Sequence, residues 1–353
     1  MTTVPDDRRA GEIFYYVHHH GGGHRSRARE ILRHLEADVV LLSSLSRPLD
    51  LDAWVPTGST ARRDWLELAW DTGDGTDPAA AAHYDDADAG GLLHWAPIGH
   101  HGLQLRHQQL TAAIAERSPA LLVSDVSAEI ACVARLSGVP VVSVLLPGRR
   151  DDAPHRLAFE LSRGLLAPWP RPSTAPEWLQ PWASRTFFAG GIGDDGGAVA
   201  VNAAARVVAR TVIPAFGTDL APQQHWRAAA SASRTWNWEL DAELLPVQEW
   251  RQRLAAADVV VAHAGLGTIA DLAATGRRSV IIPQPRPFGE QDATAELVRS
   301  LGIGSLVLRD WPTVADWDAL LDRVSAGPAD DWSAWGVQDG ARRAAEWLLE
   351  QAT

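Results

Sequence analysis

The 353-residue sequence contains no lysine: all 32 of its basic residues are arginine. That absence excludes a Walker-type phosphate loop, a Schiff-base lysine and a lysine phosphate clamp. Cysteine is nearly absent too. The single Cys132 rules out an intrachain disulfide and a multi-cysteine zinc site, and its apolar helical setting suits a small core residue in a reducing cytoplasm. No run approaches the roughly 18 apolar residues of a membrane span. The opening MTTVPDDRRAGEI has no apolar region ahead of the first strand, so a cytoplasmic protein is expected. Net positive charge is also missing: the formal charge is −12 and both halves are acidic, so neither nucleic acid nor a membrane is an expected partner. Arg25, Arg27, Arg29 and Arg33 could form a local basic patch or simply a solvated helix face.

With 46% hydrophobic and 22% charged residues the composition is that of a globular protein, and the length calls for two domains. Apolar runs alternate with helix-like segments, the order of parallel sheets built from βαβ units. In the first half the strands are expected at Glu12–Val17, Val39–Ser43, Leu121–Ser124 and Val139–Val144, with helices at Ser26–Leu35, Leu103–Arg117 and Ala128–Ser137. A long stretch, Pro48–Gly99, lacks clear periodicity and reads as a lid or binding-loop insertion. The glycine-rich, acidic Gly190–Gly197 reads as the linker. Beyond it a second set of strands is expected at Arg210–Pro214, Arg234–Glu239, Val259–Ala262, Ser279–Pro283 and Ser305–Leu308, followed by an amphipathic helix at Val337–Gln351.

The most informative local pattern follows Val259–Ala262, where the apolar strand breaks into His263-Ala264-Gly265-Leu266-Gly267-Thr268 and then a helical segment. Glycines let a ligand approach the backbone, and a helix start offers unpaired N–H groups and a positive dipole end, so an anion can be held there without lysine or metal. After the next strand, Phe288-Gly289-Glu290-Gln291 opens another helix, so two strand ends converge on one crevice. His263-x-Gly-x-x-Thr, Asp271 eight residues on, and Glu290-Gln291 together resemble the donor-site signature of GT-B fold glycosyltransferases. These include the lipid-linked peptidoglycan N-acetylglucosaminyltransferases and enzymes that glycosylate natural products. The resemblance implies an α/β protein of two Rossmann-like parallel-sheet domains facing across a cleft, residues 1–190 binding the acceptor and 191–335 the nucleotide-sugar. Residues 336–353 would then form a helix that can pack back on the first domain. It also implies that His263, Gly265 and the N–H groups near Gly267 and Thr268 hold a diphosphate, Asp271 the ribose, and Glu290 with Gln291 the sugar, the base lying against Leu244–Gln248. Two departures stand out. Ala215-Phe216-Gly217-Thr218-Asp219 has one glycine where the family carries a glycine-rich loop, and Asp271 replaces the common glutamate.

The first half has its own landmark, His18-His19-His20-Gly21-Gly22-Gly23-His24, between the first strand and helix. Gly21, Gly22 and Gly23 permit a tight turn against which a sugar or acceptor can lie, and His24 falls at the helix start. Displacement by a hydroxyl needs a proton acceptor, and histidine titrates nearest neutrality. By resemblance His24 is the catalytic base, oriented by Asp125; alternatively His24 contacts a ligand without moving a proton, and Asp125 caps the following helix. The three consecutive histidines suggest a metal, but alternation along a strand would send them to opposite faces. Asp50-x-Asp52 and Asp86-x-Asp88 lie in irregular acidic sequence and are not read as metal ligands. Of the 16 tryptophans, Trp54, Trp65, Trp70 and Trp95 could stack on an acceptor ring, most of the rest being core. The expected activity is inverting transfer of a sugar from a UDP- or dTDP-sugar to a hydroxyl of a small molecule or natural product, less readily a lipid-linked one, with no cofactor and no metal. The alternatives are a nucleotide-sugar hydrolase or epimerase of the same fold, and a catalytically silent accessory protein.

Overall fold

A computed structural model describes residues 11–20, 22–71, 84–193, 210–216, 223–240, 247–304 and 306–353. The strands are β1 (Ile13–Tyr16), β2 (Val39–Ser43), β3 (Arg63–Glu67), β4 (Leu121–Asp125), β5 (Val141–Val144), β6 (Gly164–Ala167), β7 (Thr186–Phe188), β8 (Thr211–Ala215), β9 (Asn237–Trp238), β10 (Val259–Ala262), β11 (Ser279–Ile281) and β12 (Leu306–Val307). The helices are α1 (Gly22–Leu32), α2 (His101–Arg117), α3 (Ala128–Leu136), α4 (Ala153–Leu161), α5 (Gln223–Ala232), α6 (Val247–Ala256), α7 (Leu266–Thr275), α8 (Glu290–Ser300), α9 (Trp317–Ala326) and α10 (Val337–Gln351). Among these residues β1–β7 form one sheet, ordered β3-β2-β1-β4-β5-β6-β7, and β8–β12 a second, ordered β12-β11-β10-β8-β9. The recorded strand pairs of both sheets are parallel. Such sheets are covered on both faces, which is why β1, β2, β4, β5 and β10 are buried along their whole lengths. Each sheet has a switch point where successive crossovers leave in opposite directions, between β1 and β4 in the first and between β8 and β10 in the second. Ligand crevices form outside the strand C-termini at such points.

The sequence reading needs four corrections here. Pro48–Gly99 is not irregular throughout, because it contains β3, an edge strand paired with β2. Trp54 is 2% exposed and packs in the first domain's core with Trp65 against it, so neither reaches an acceptor. The first helix begins at Gly22, four residues earlier than expected, so Gly22 and Gly23 form its first turn rather than a tight loop. The strand expected at Arg234–Glu239 shrinks to the two residues of β9. Gly21, residues 194–197 of the linker, 217–219 of the single-glycine loop, 244–246 of the base-contacting segment and 72–83 of the insertion lie outside the described residues.

Helix α10 returns the chain to the first domain. Its apolar stripe, including Ala341, Ala344, Ala345 and Leu348, shares a core with Ile31 and Leu32 of α1. Trp347 stacks on Phe187 of β7 at 5.2 Å, and Arg343 donates to the Phe188 and Ala189 carbonyls. The C-terminal end of α1 is also held by Arg63 of β3, whose buried guanidinium donates to the carbonyls of Leu32, Leu35, Ala37 and Trp54. Cations at a helix C-terminus satisfy its unpaired carbonyls. The helix that carries His24 is therefore pinned from two sides.

Candidate functional site

The switch point of the first sheet brings together residues more than a hundred positions apart. Asp125 is the last residue of β4 and is fully buried. His24, in the first turn of α1, puts Nδ1 2.9 Å from Asp125 Oδ1. The helix-cap alternative for Asp125 is excluded, because Ser127 caps α3, its hydroxyl accepting from the Ile130 N–H. A third member was not expected: Arg27, one turn after His24, donates from Nε and Nη2 to the two oxygens of Asp125 at 3.1 and 2.5 Å. At 7% exposed, Arg27 is neither patch nor solvated face, although its position with Ala28 and Ile31 on the buried stripe of α1 was a readable signal. Burial pushes the Asp125 carboxyl upward, but the charge of Arg27 and then of His24 outweighs it and holds the group down at about 2. Arg27 Nη2 also lies 2.9 Å from His24 Nδ1. That nitrogen either donates to the carboxylate, leaving Nε2 as a base, or accepts from Arg27, leaving Nε2 protonated. The anionic Asp125 favours the first tautomer.

The histidines correct another expectation. The chain leaves β1 at Tyr16, so strand alternation no longer governs His18, His19 and His20, and their rings gather instead: centroids are 4.8 Å apart for His18–His19 and 4.3 Å for His19–His20. His18 lies 5.5 Å from His24. Burial, reinforced by the neighbouring imidazoles, lowers His18 to about 2, and burial also lowers His19, so both rings are neutral. They line a cavity of about 290 Å³ with Tyr16, Trp95, Arg106 and Phe288. Of the four tryptophans singled out, Trp95 lines it and Trp70 packs edge-on against His19, 5.0 Å away. A larger cavity of about 850 Å³ lies between the tryptophan-rich segment 169–182 and α8, and is lined by neither His24 nor His263.

At the second switch point His263 follows β10 and Gly265 precedes α7. Among the described residues no side chain caps α7, which leaves the N–H groups at its start available to an anion. His263 Nδ1 accepts from the Gly265 N–H at 2.8 Å, which places the ring proton of the neutral tautomer on Nε2, 3.3 Å from the Thr268 hydroxyl. A methyl group built at Gly267 would meet nothing within 4 Å, and the same holds at Gly22 and Gly23, so all three leave room for a ligand against the backbone. Asp271 lies 3.5 Å from Arg251 of α6; burial raises its pKa and Arg251 opposes the rise. Gln291 is 3% exposed, and its carbonyl accepts from the N–H groups of Ala264 and Gln284, tying the two strand-end loops together. Only its amide NH₂ remains to meet a sugar.

The two domains touch at this point. Helix α1 packs against α7. Residues Gly148–Arg150 clasp Phe288–Glu290: the Arg149 N–H donates to the Phe288 carbonyl at 2.8 Å, and Arg150 donates to Glu290 Oε2 at 3.2 Å while lying over the Phe288 ring. Gly148, at φ +98°, allows this approach, since a Cβ there would strike the Phe288 carbonyl. Arg27 and Arg150, like Phe288, are site residues that the sequence reading did not find; the last two meet only through the fold.

Residues 223–315 match the glycosyltransferase family 28 C-terminal domain. The chain is 34% identical over 125 residues to the UDP-N-acetylglucosamine–N-acetylmuramyl-(pentapeptide) pyrophosphoryl-undecaprenol N-acetylglucosamine transferase of Sorangium cellulosum, a match covering 31% of this chain and 29% of that enzyme. It thus spans less than a third of that relative's length. Among solved structures it resembles the glycotransferase of kitacinnamycin, with a TM-score of 0.63 at 20% identity over 98% of this chain and 100% of the other. It also resembles a spinosyn rhamnosyltransferase complexed with thymidine diphosphate, with a TM-score of 0.60 at 16% identity over 96% and 100%. These likenesses establish the fold, two facing parallel-sheet domains of GT-B type, with the family 28 match lying within the second.

Proposed function

We propose that the protein is an inverting glycosyltransferase that moves a sugar from a UDP- or dTDP-sugar to a hydroxyl of a small-molecule acceptor. The observation that carries this reading is that His24, on the helix α1 that packs against α7, contacts buried, anionic Asp125 at the end of β4. In this reading the diphosphate lies at the uncapped start of α7 and over Gly267, its charge met by N–H groups and the Nε2–H of His263 rather than by a metal. Asp271 takes the ribose hydroxyls. Glu290 and the amide of Gln291 take the sugar hydroxyls, with Arg150 fixing the Glu290 carboxylate. The acceptor hydroxyl gives its proton to Nε2 of His24 as its oxygen bonds to the anomeric carbon; the bond from that carbon to the diphosphate breaks, the electron pair leaves on the phosphate, and the configuration inverts.

Trp95 favours transfer over hydrolysis, because it brings part of the 48–99 segment into the wall of a cavity whose lining residue His18 stands 5.5 Å from His24, room that water alone does not need. The test is calorimetry with UDP, dTDP and their sugars in EDTA, followed by assay of the sugar-nucleotides with hydroxylated acceptors. Metal-free binding of a diphosphate with acceptor-dependent turnover is expected. Loss of binding on chelation, or release of free sugar at the same rate with and without acceptor, overturns the reading.

A further inference from the structure

Several unusual features meet at one wall of the 290 Å³ cavity. His19 is 8% exposed, and neither of its ring nitrogens has a hydrogen-bond partner among the described residues. Asp71 Oδ1 is buried and equally without one. These atoms, His19 Nε2 and Asp71 Oδ1, stand 3.6 Å apart, beyond hydrogen-bond reach but close to the spacing of two donors that share an ion at about 2.0–2.2 Å from each. Ring nitrogens of His18, His19 and His20 lie within 4.8 Å of one another. The His20 N–H donates to His18 Nδ1, so that nitrogen carries the lone pair of His18, and an ion bound by His18 takes the place of this backbone N–H. Arg106, itself buried, lies 3.7 Å from the other Asp71 oxygen and steadies the carboxylate. A polar group buried without a partner is costly, so three such atoms on the neighbouring side chains of His19 and Asp71, beside the gathered imidazoles, call for a guest.

We propose that His18, His19, His20 and Asp71 bind one divalent transition-metal ion of the zinc class. Three imidazoles and one carboxylate suit zinc or its neighbours and not the all-oxygen preference of magnesium or calcium. All four residues line the cavity, so any further coordination position is reached from the cavity, where an oxygen of the acceptor would occupy it. The donor diphosphate, held by the other domain, does not depend on this ion. A second grouping, His94, Asp152 and His155, is a hydrogen-bonded cluster instead. Arg150 Nη1 donates to His155 Nε2 and Nδ1 faces Asp152, so a guanidinium cation already stands where His155 would offer its lone pair.

The untagged full-length chain, stripped with EDTA and dialysed, is titrated with Zn²⁺ by calorimetry, and the bound metal is counted after gel filtration. One Zn²⁺ per chain is expected, with affinity lowered about 100-fold in His19→Ala and about tenfold in Asp71→Asn, and unchanged in His94→Ala. His20 is exposed, so His20→Ala leaves the core intact and must also weaken binding, which keeps the test decisive if His19→Ala fails to fold. Absence of stoichiometric Zn²⁺, full affinity in His20→Ala, or loss in His94→Ala alone overturns the proposal. UDP and dTDP binding measured on the same stripped samples reports separately on the transferase reading.

Discussion

Replacing Asp125 by asparagine keeps the shape of a fully buried side chain and removes its charge. The wild-type carboxyl titrates at about 2 in place of the ordinary 3.8, a difference worth about 2 kcal/mol in favour of the ionised folded state at neutral pH. That is a floor, because the substitution also strands the guanidinium of Arg27, 7% exposed, without a counter-charge, and breaking a buried pair on one side costs about 3–5 kcal/mol. We expect Asp125→Asn to lower unfolding free energy within that span, read by urea denaturation followed through tryptophan fluorescence. The pH dependence gives the sharper result. A carboxyl whose folded pKa is depressed contributes fully above its unfolded value near 3.8 and loses its contribution as pH falls toward 2, so the gap between wild type and variant should be widest above pH 5 and close on acidification. A variant within about 0.5 kcal/mol of wild type at pH 7, or a gap that stays constant down to the acid limit, would refute the reasoning.

His24→Ala should leave nucleotide affinity intact and lower transfer by about 10²–10⁴-fold; full activity would place the base elsewhere. Combined with Asp125→Asn it should cost little more than alone, whereas losses that multiply would show independent roles. Asp271→Ala should weaken UDP or dTDP binding by about 1–3 kcal/mol in calorimetry, and unchanged affinity would mean that the ribose is held by other groups. Gln291→Ala removes the acceptor of two buried backbone N–H groups as well as an expected sugar contact, so it should lower the melting temperature as well as turnover; a wild-type melting curve would count against the latch.

The strand-end site of the second domain was legible because its signal is local. Strand, glycine turn and helix start occupy fewer than about twenty consecutive residues, and the strand Val259–Ala262 and helix Val337–Gln351 fall where the pattern puts them. β3 was not legible: Arg-Asp-Trp-Leu-Glu is an edge strand that puts charge on its open side, and its arginine is buried only because it reaches the carbonyls ending α1. The start of α1 was hidden by glycines, which score as turn formers although Gly22 and Gly23 are helical here. The histidine gathering was missed by applying a strand rule two residues past the end of a strand.

The first domain's cavity resists sequence reading for a further reason. It draws on Tyr16 with His18, His19 and His20, and on Asp71, Trp95, Arg106, Ser127 and Arg150, from six separate loops or elements with no fixed spacing between them. The second domain's site has the opposite property, since on the proposed reading its phosphate, ribose and sugar contacts follow one another along two adjacent strand ends. On that reading the pocket of the first domain can be altered through any of six segments while the strand-end motif of the second stays recognisable. That asymmetry accounts for a family match confined to residues 223–315 in a chain whose fold likeness extends over nearly its whole length.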